Sequence, residues 1–238
     1  MLKAFANYLV SLGENKTYEI NGHTYSDHPL ELVEELRPKP KEIGLKSLDA
    51  LAKIIRQEIG KLPRPIFVNV VDAKTVSAFS TFDEKDCFRT YAYKAVCDVP
   101  TFHEGFRPLE QAVIELRSRF VPGEGVDYLL DLISRVNKEN GVTTTDNGVS
   151  QTVEARSGVS LKMMVTIKPR VMLTPYRTFL EVEQPTSEFL LRLNDDGEVG
   201  LFEADGGIWT LTAKDRIAAY FEAELADLIE SGCVVVLR

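Results

Sequence analysis

Cysteine, histidine and tryptophan are scarce in this chain of 238 residues, which contains three cysteines, three histidines and one tryptophan. Cys87, Cys97 and Cys233 show no metal or redox spacing, and such an odd, sparse count is typical of reduced thiols in a cytoplasmic protein. Cys87 and Cys97 could meet across a hairpin, although packing is the favoured role. The histidines, at positions 23, 28 and 103, are scattered, whereas a zinc site needs clustered ligands. The sequence therefore predicts no metal centre and no cofactor.

Long hydrophobic runs are also missing, since no apolar stretch approaches the ~20 residues that a membrane-spanning helix needs. The first ten residues are apolar but short, and they predict an amphipathic helix instead of a signal peptide. With 44% hydrophobic and 27% charged residues, the composition is that of an ordinary globular protein with a sizeable core. We expect a cytoplasmic protein with no membrane partner.

Positive charge is in deficit, because 36 acidic residues outnumber 28 basic ones and give a formal net charge of −8. This balance argues against general binding to nucleic acid, whose phosphates attract cations. The exception is a run without acidic residues that contains Arg156, Lys162, Lys168, Arg170 and Arg177. Three interpretations of this run stay open: a solvated sheet face, a contact with the acidic last helix of another copy, or a contact with a nucleic-acid backbone.

Residues 142–207 contain a series of segments with the alternating pattern of β-strands, separated by residues that favour turns. Asn147-Gly148 predicts a two-residue hairpin loop, and Asp195-Asp196-Gly197 predicts a second hairpin. The alternation of apolar and charged residues over 176–184 predicts a further strand with one buried face. We interpret the whole stretch as the central sheet of the protein.

Helices and further strands are predicted on both sides of this stretch. The helices are recognised by apolar residues at helical spacing and by caps at Ser47 and Thr212. They are predicted at 47–59, at 108–120, after the break at Pro122-Gly123 with an apolar face from Tyr128 to Val136, and at 212–228. The outer strands are predicted at 66–71, 75–82, 88–97 and 233–237. This order favours the α+β class, with an antiparallel or mixed sheet of several hairpins covered by three to four helices.

Residues 1–42 differ from the rest of the chain and are predicted to form an N-terminal arm or small hairpin extension. A hairpin is expected around Asn21-Gly22, and the prolines at 38 and 40 favour an extended segment after it. Residues 43–238 are predicted to form the α+β domain. The arm could reach a neighbouring subunit or fold back on its own domain, and both alternatives stay open.

Three carboxylates are weak candidates for a ligand or metal site. Glu181 and Glu183 lie two residues apart on the predicted strand, where paired carboxylates could hold a cation or act as acid and base. We favour a ladder of salt bridges instead. Asp205 precedes two glycines and Trp209, and two interpretations are open for this segment. Trp209 could be buried and anchor the last helix, or the segment could form a ligand pocket with Asp205 as its polar group. We favour the buried tryptophan. No residue is predicted to be catalytic.

Four segments carry a family resemblance. They are TTTDNGVSQ at 143–151, PYRTF at 175–179, VEQP at 182–185 and LFEADGG at 201–207. In these segments the chain resembles a family of phage and prophage proteins of unknown function that includes the YfdQ-like proteins. The order of helices and strands also looks similar from about residue 45 to 237. The resemblance implies a phage or prophage origin and expression in the host cytoplasm, and it implies no catalytic residues.

The leading hypothesis is a phage- or prophage-encoded accessory protein without catalytic activity, which assembles into a symmetric homo-oligomer. The interface candidates are Arg156, Lys162, Lys168, Arg170, Arg177, Val234 and Val236. One alternative is a metal-dependent enzyme of phage nucleotide or nucleic-acid metabolism that uses Glu181, Glu183 and Asp205. Another is a protein that binds a host factor, including a defence component.

Overall fold

The structure is a computed structural model. It describes residues 2–11, 13, 16–20, 23–26, 41–82, 89–136, 142–146, 151–157 and 160–238, with the backbone alone for those between 142 and 166. The chain divides into two compact units, Met1–Lys39 and Pro40–Arg238.

The smaller unit contains one helix and one hairpin in its described residues. These elements are α1 (Leu2–Ser11), β1 (Thr17–Ile20) and β2 (His23–Ser26). The two strands are antiparallel and Tyr18 pairs with Tyr25, so the predicted N-terminal hairpin is confirmed. The predicted turn at positions 21 and 22 lies outside the described residues.

The larger unit alternates groups of strands with groups of helices. In chain order its elements are β3 (Ile43–Leu45), α2 (Leu48–Glu58), β4 (Ile66–Asp72), β5 (Thr75–Ser80), β6 (Tyr91–Val96), β7 (Gly105–Arg107), α3 (Leu109–Arg119), α4 (Glu124–Val136), β8 (Val142–Asp146), β9 (Gln151–Ser157), β10 (Ser160–Ile167), β11 (Arg170–Leu173), β12 (Ser187–Leu193), β13 (Val199–Glu203), α5 (Trp209–Glu224), α6 (Ala226–Glu230) and β14 (Val234–Leu237). The predicted α+β class is confirmed.

A five-stranded mixed sheet has the order β14-β4-β5-β6-β3. Its two outer strands run parallel to their neighbours, and the inner pairs are antiparallel. One face is packed under α2 and α5, where Leu51, Val68 and Phe221 are fully buried. The predicted cap of α2 is confirmed, because the Ser47 Oγ accepts a hydrogen bond from the Ala50 N–H at 3.2 Å.

A four-stranded antiparallel sheet has the order β11-β12-β13-β7 and packs against α3 and α4. Leu116, Leu129 and Phe189 lie in this second core. The helix α4 lies so close to β11 that a Cβ atom built on Gly125 would be 2.1 Å from the carbonyl oxygen of Met172. Only glycine fits this crossing without a shift of the backbone.

A third sheet, β10-β9-β8, contains three antiparallel strands. The hairpin predicted between β8 and β9 is confirmed by their antiparallel pairing, and the predicted loop at Asn147-Gly148 lies outside the described residues. The hairpin predicted at Asp195-Asp196-Gly197 is confirmed between β12 and β13. Gly197 has a φ of 75°, a left-handed conformation that glycine adopts without strain.

The interpretation of residues 142–207 as one central sheet is wrong. The strands from this stretch belong to two separate sheets, and the five-stranded sheet takes its strands from earlier in the chain and from the C-terminus. Strand patterns indicate which residues are extended, but they do not identify the partner strand. Which strands pair with each other depends on packing between segments that are distant in the sequence.

The predicted strand over 176–184 is also wrong, because the chain there is irregular. The buried side chain of Gln184 holds this segment in place. Its Oε1 accepts hydrogen bonds from the backbone N–H groups of Arg177 (2.9 Å) and Thr178 (3.1 Å). Its Nε2 donates to the carbonyl of Phe179 at 2.9 Å. One amide side chain therefore supplies partners that a neighbouring strand would otherwise supply.

The last helix begins earlier than predicted. It starts at Trp209, three residues before the predicted cap at Thr212, and Leu225 separates it from the short α6. Gly206 and Gly207 have φ values of 64° and 80°, so the chain turns sharply just before the helix. The two glycines make Trp209 the first residue of α5.

Among the described residues, no helix combines the length and the apolar character needed to cross a membrane.

Candidate functional site

Arg177 is a buried cation at the centre of a network of polar groups. Its side chain is only 4% exposed and its Nη1 donates to Glu203 Oε1 at 2.6 Å. The Nη2 donates to the carbonyl of Pro185 at 3.1 Å and to the hydroxyl of Ser187. The guanidinium carbon lies 4.1 Å from the ring centroid of Trp209, which is cation–π geometry.

The network extends to Asp205, just before α5. The Ser187 hydroxyl donates to Asp205 Oδ2, and the Gly207 N–H donates to Oδ1 at 3.0 Å. Burial alone would raise the pKa of Asp205, but these hydrogen bonds and the nearby Arg177 hold it below its ordinary value. Burial lowers the pKa of Arg177, while the charges of Glu203 and Asp205 oppose that shift.

A cavity of about 480 Å³ opens beside this network, and we call it the Arg177 cavity. Its wall is formed by Lys74, Thr101, Phe102, His103, Glu104, Pro175, Arg177, Glu203 and Trp209. These residues come from the β4–β5 turn, the segment before β7, the chain between β11 and β12, the end of β13 and the start of α5. The wall therefore combines aromatic rings, cations and carboxylates.

The two glutamates of the predicted acidic pair do not act together. Glu181 Oε1 accepts the backbone N–H of Leu48 at 2.8 Å, so it binds the N-terminus of α2. Glu183 forms an ion pair with Arg216 at 3.1 Å. Asp205 is held by other partners, as described above. Among the described residues, no three His, Cys, Asp or Glu side chains are arranged to share a metal ion.

The basic run is dispersed. Arg156 lies on β9 and Lys162 on β10, and their side chains are outside the described part of the structure. The Lys168 ammonium is 5.1 Å from the ring centroid of Tyr128. The guanidinium of Arg170 lies 3.3 Å from the carboxylate of Glu188. Lys168, Arg170 and Arg177, whose side chains are described, each have a different partner.

Three of the interface candidates are covered by their own unit. Arg177 and Val234 are only 3% and 1% exposed, and Val236 packs against the same core as Val234. The strand β14 that carries both valines pairs with β4 of its own sheet. In this structure the buried side chains of Arg177 and Val234 leave almost no surface for a second molecule.

The two cysteines that the structure describes, Cys97 and Cys233, are free thiols. Burial raises the pKa of Cys97. Cys87 lies outside the described residues.

The face of the five-stranded sheet opposite α2 and α5 carries an apolar row next to a mixed row, in which Leu237, Asn69, Ser77 and Lys94 are aligned. The register aligns Val235, Phe67, Phe79 and Tyr91 in one row across four strands, and we call this row the aromatic face. The Phe67 and Phe79 rings are 5.5 Å apart, and those of Phe79 and Tyr91 are 5.0 Å apart. Tyr91 is 53% exposed, and Phe67, Phe79 and Val235 are partly exposed.

Arg89 lies over the aromatic face. Its guanidinium carbon is 5.7 Å from the ring centroid of Phe67 and 5.8 Å from that of Phe79. Leu237 joins the same surface, so that a shallow cavity of about 300 Å³ lies between these side chains. The surface is therefore mainly apolar with one cation at its edge.

Sequence reasoning missed the aromatic face, and it set aside the ligand pocket that it considered at Asp205 and Trp209, next to the Arg177 cavity. Phe67 alternates with buried neighbours along β4, and this alternation is a local sequence signal for a second face of the sheet. The Arg177 cavity has no local signal, because Lys74, Phe102 and Trp209 are far apart in the chain.

Neither the protein-family models, nor the curated proteins, nor the solved structures compared with this chain match it. The resemblance to the phage and prophage family therefore stays a prediction.

Proposed function

We propose that this protein is an accessory protein without catalytic activity that assembles into a symmetric homo-oligomer, and that the aromatic face is the interface. The observation that carries the proposal is the row of Val235, Phe67, Phe79 and Tyr91, which crosses four strands and is partly exposed. With strands ~4.8 Å apart, the row is roughly 14 Å long.

Apolar side chains that are partly exposed on a sheet face favour a protein partner. Contiguous apolar surface is typical of interaction sites, and aromatic residues are enriched at the centre of interfaces. In a two-fold dimer the same patch lies on both subunits, so an apolar row meets an apolar row. A second copy therefore offers a surface of the required chemistry.

The charge at the edge of the row is compatible with such a contact. Arg89 is exposed and already lies over aromatic rings, where a guanidinium is stabilised without a carboxylate. In a two-fold contact, each Arg89 could stack on Tyr91 of the other subunit. We expect this pair to fix the register of the two sheets.

The proposal places the interface away from the basic run and the C-terminal strand. Arg177 and Val234 are buried, and Arg170 is paired with Glu188. Each of these residues already has partners within its own unit. The aromatic face lacks equivalent cover in the described part of the chain, as the exposure of Tyr91 indicates.

The test is the mass of the protein in solution before and after a charge is placed on the aromatic face. Tyr91→Glu puts a carboxylate on an exposed position, so the fold of the subunit should persist. We expect sedimentation velocity to show an oligomer for the unchanged protein at micromolar concentration. The Tyr91→Glu variant should dissociate with a dissociation constant at least tenfold higher, or about 1.4 kcal/mol weaker.

The matched control is Ile114→Glu, which places the same charge on an apolar residue of α3 that is 59% exposed. This variant should associate as the unchanged protein does. A monomer at micromolar concentration for the unchanged protein would overturn the proposal. Equal weakening by both substitutions would also overturn it, because the effect would then not be specific to the aromatic face.

The proposal also keeps the origin and location that the family resemblance implies, a phage- or prophage-encoded protein in the host cytoplasm. The metal-dependent enzyme finds less support, because Glu181, Glu183 and Asp205 have separate partners. No described feature favours a host factor over a second copy.

A further inference from the structure

We propose that the Arg177 cavity is a binding site for a small molecule that joins one oxyanion, a carboxylate or a phosphate, to an apolar or aromatic body. This site is separate from the aromatic face, and the proposal does not depend on self-association.

The first observation is a donor without an acceptor. Arg177 forms part of the cavity wall, and its Nε is the one buried side-chain nitrogen or oxygen in the described residues that lacks a hydrogen-bond partner. The other two nitrogens of this guanidinium are already bonded. Leaving a buried N–H without an acceptor is unfavourable, because the group has lost its water and gained no partner. The protein's own groups therefore leave the Arg177 guanidinium, a cation in the cavity wall, incompletely satisfied.

A second cation lies in the same wall. Lys74 is half-buried and its Nζ donates to Thr101 Oγ1 at 2.7 Å. An ammonium group has three donors, and this contact uses one of them. Charge-assisted hydrogen bonds to a carboxylate or phosphate are stronger than neutral ones. Lys74 is therefore the group that we expect to dominate the affinity for an anion.

The rest of the ligand is selected by the aromatic part of the wall. Phe102, Pro175 and Trp209 supply apolar surface, and the cavity of about 480 Å³ lies within the usual range of roughly 300–1,000 Å³ for small-molecule sites. A planar or apolar body would cover these side chains. An inorganic ion alone would leave them in contact with water.

The acidic residues of the wall limit the charge that the site accepts. Glu203 is paired with Arg177, and Glu104 Oε1 accepts the backbone N–H of Glu203 at 2.7 Å. Their two negative charges would repel a polyphosphate or a nucleic-acid strand. We therefore infer a ligand with one oxyanion group instead of several.

Trp209 makes the site directly observable, because it is the only tryptophan in the chain and lines the cavity. The probes are benzoate and phenyl phosphate, which carry the two candidate oxyanions on the same ring. Benzamide is the neutral control, and inorganic phosphate is the control without a ring. We expect saturable changes in tryptophan fluorescence with one or both aromatic anions, and much weaker binding of the two controls.

Lys74→Met should raise the dissociation constant of the binding anion at least tenfold, because it removes the charge and keeps the chain length. Lys94→Met is the matched control, since Lys94 lies on β6 and does not line the cavity. It should leave the affinity unchanged. Arg177 is not substituted, because its burial makes loss of folding the expected result.

The outcomes separate clearly. Binding of benzoate alone, or of phenyl phosphate alone, supports the site and identifies the oxyanion. No saturable response to either anion overturns the proposal. Benzamide binding as tightly as benzoate, or an unchanged affinity in Lys74→Met, overturns it as well, because recognition would then not depend on the negative charge.

Discussion

The five-stranded and the four-stranded sheets of the larger unit each bury one face under helices, but their second faces differ. On the four-stranded sheet the second face mixes the charged side chains of Arg170, Glu188 and Arg192 with apolar ones, including the exposed Met172 and Phe106, and Arg170 and Glu188 form an ion pair. On the five-stranded sheet it carries the aromatic face. Both sheets have the same kind of cover on one side, so the helices do not explain the difference.

The difference indicates what each face contacts. Charged side chains on a solvated sheet face keep their hydration and form weak pairs of about 0–1 kcal/mol. Aromatic rings in the same position expose apolar surface, and burying it against a partner is favourable by roughly 25 cal/mol per Å². The proposed interface therefore predicts that the aromatic face is buried on association, whereas Arg170 and Glu188 stay in water.

The largest effect that we expect separates buried from exposed phenylalanine. Phe189 is fully buried in the four-stranded core, where its ring lies 5.7 Å from that of Phe102 and 6.3 Å from that of Phe120. Phe189→Ala should lower the free energy of unfolding by about 3–5 kcal/mol, because it leaves a cavity. Urea unfolding followed by circular dichroism measures this change.

The matched variant is Phe79→Ala on the aromatic face. It should cost about 1 kcal/mol or less in a dilute, monomeric sample, because its ring is partly exposed there. Equal losses for the two variants would contradict the distinction between the buried core and the exposed face.

A smaller effect is expected from salt, and it tests which surface carries self-association. Raising the ionic strength from about 0.1 M to about 1 M shortens the Debye length from about 10 Å to about 3 Å. An apolar contact should respond weakly, so the dissociation constant should change by less than tenfold, or about 1.4 kcal/mol. Sedimentation at the two salt concentrations measures it.

The opposite result would restore the interface predicted from the sequence. If association depended on the basic run and the acidic last helix, screening would weaken it strongly as salt increases. The Tyr91→Glu variant would then associate as the unchanged protein does.

The smallest effect concerns Asp205 and pH. Its pKa is held below the ordinary value in the folded protein, so the fold favours its charged form. The stabilisation is therefore fully present above the unfolded pKa of about 3.9, and is lost as the pH falls through the folded value. Asp205→Asn should cost about 1 kcal/mol near neutral pH, the typical net value of one hydrogen bond.

Unfolding of both proteins by urea at several pH values measures this difference, which should shrink in acid. Asp196→Asn, in the exposed turn between β12 and β13, is the control for the removal of one carboxylate elsewhere in the chain. A difference that stays constant down to the lowest pH would show that the charge of Asp205 contributes nothing to stability.

Much of the local structure could be predicted from the residues alone. The Ser47 cap, the helices over 109–119 and 124–136, and the turn at Gly197 follow from short-range rules of capping, spacing and backbone conformation. These features depend on residues within a few positions of one another. A single sequence therefore contains the information that specifies them.

The failures have one cause in common. Residues 176–184 alternate as a strand should, yet their hydrogen bonds are not those of a strand. The backbone N–H of Thr178 donates to the side chain of Gln184, and the Thr178 hydroxyl donates to the carbonyl of Ala73. Arg177 was placed on a charged face by the same alternation, but it is buried against Trp209. Both errors arise because a pattern of period two does not state what covers each side.

The sequence by itself determined the α+β class, most of the helices and the position of the hairpins in the chain. Only the tertiary structure decided which strands share a sheet, which face of each sheet is covered, and that Lys74 and Trp209 line one cavity. The physical reason is the range of the interactions. Caps, turns and helical spacing act over a few residues, whereas strand pairing, burial and cavities arise from contacts between segments that the order of residues does not bring together.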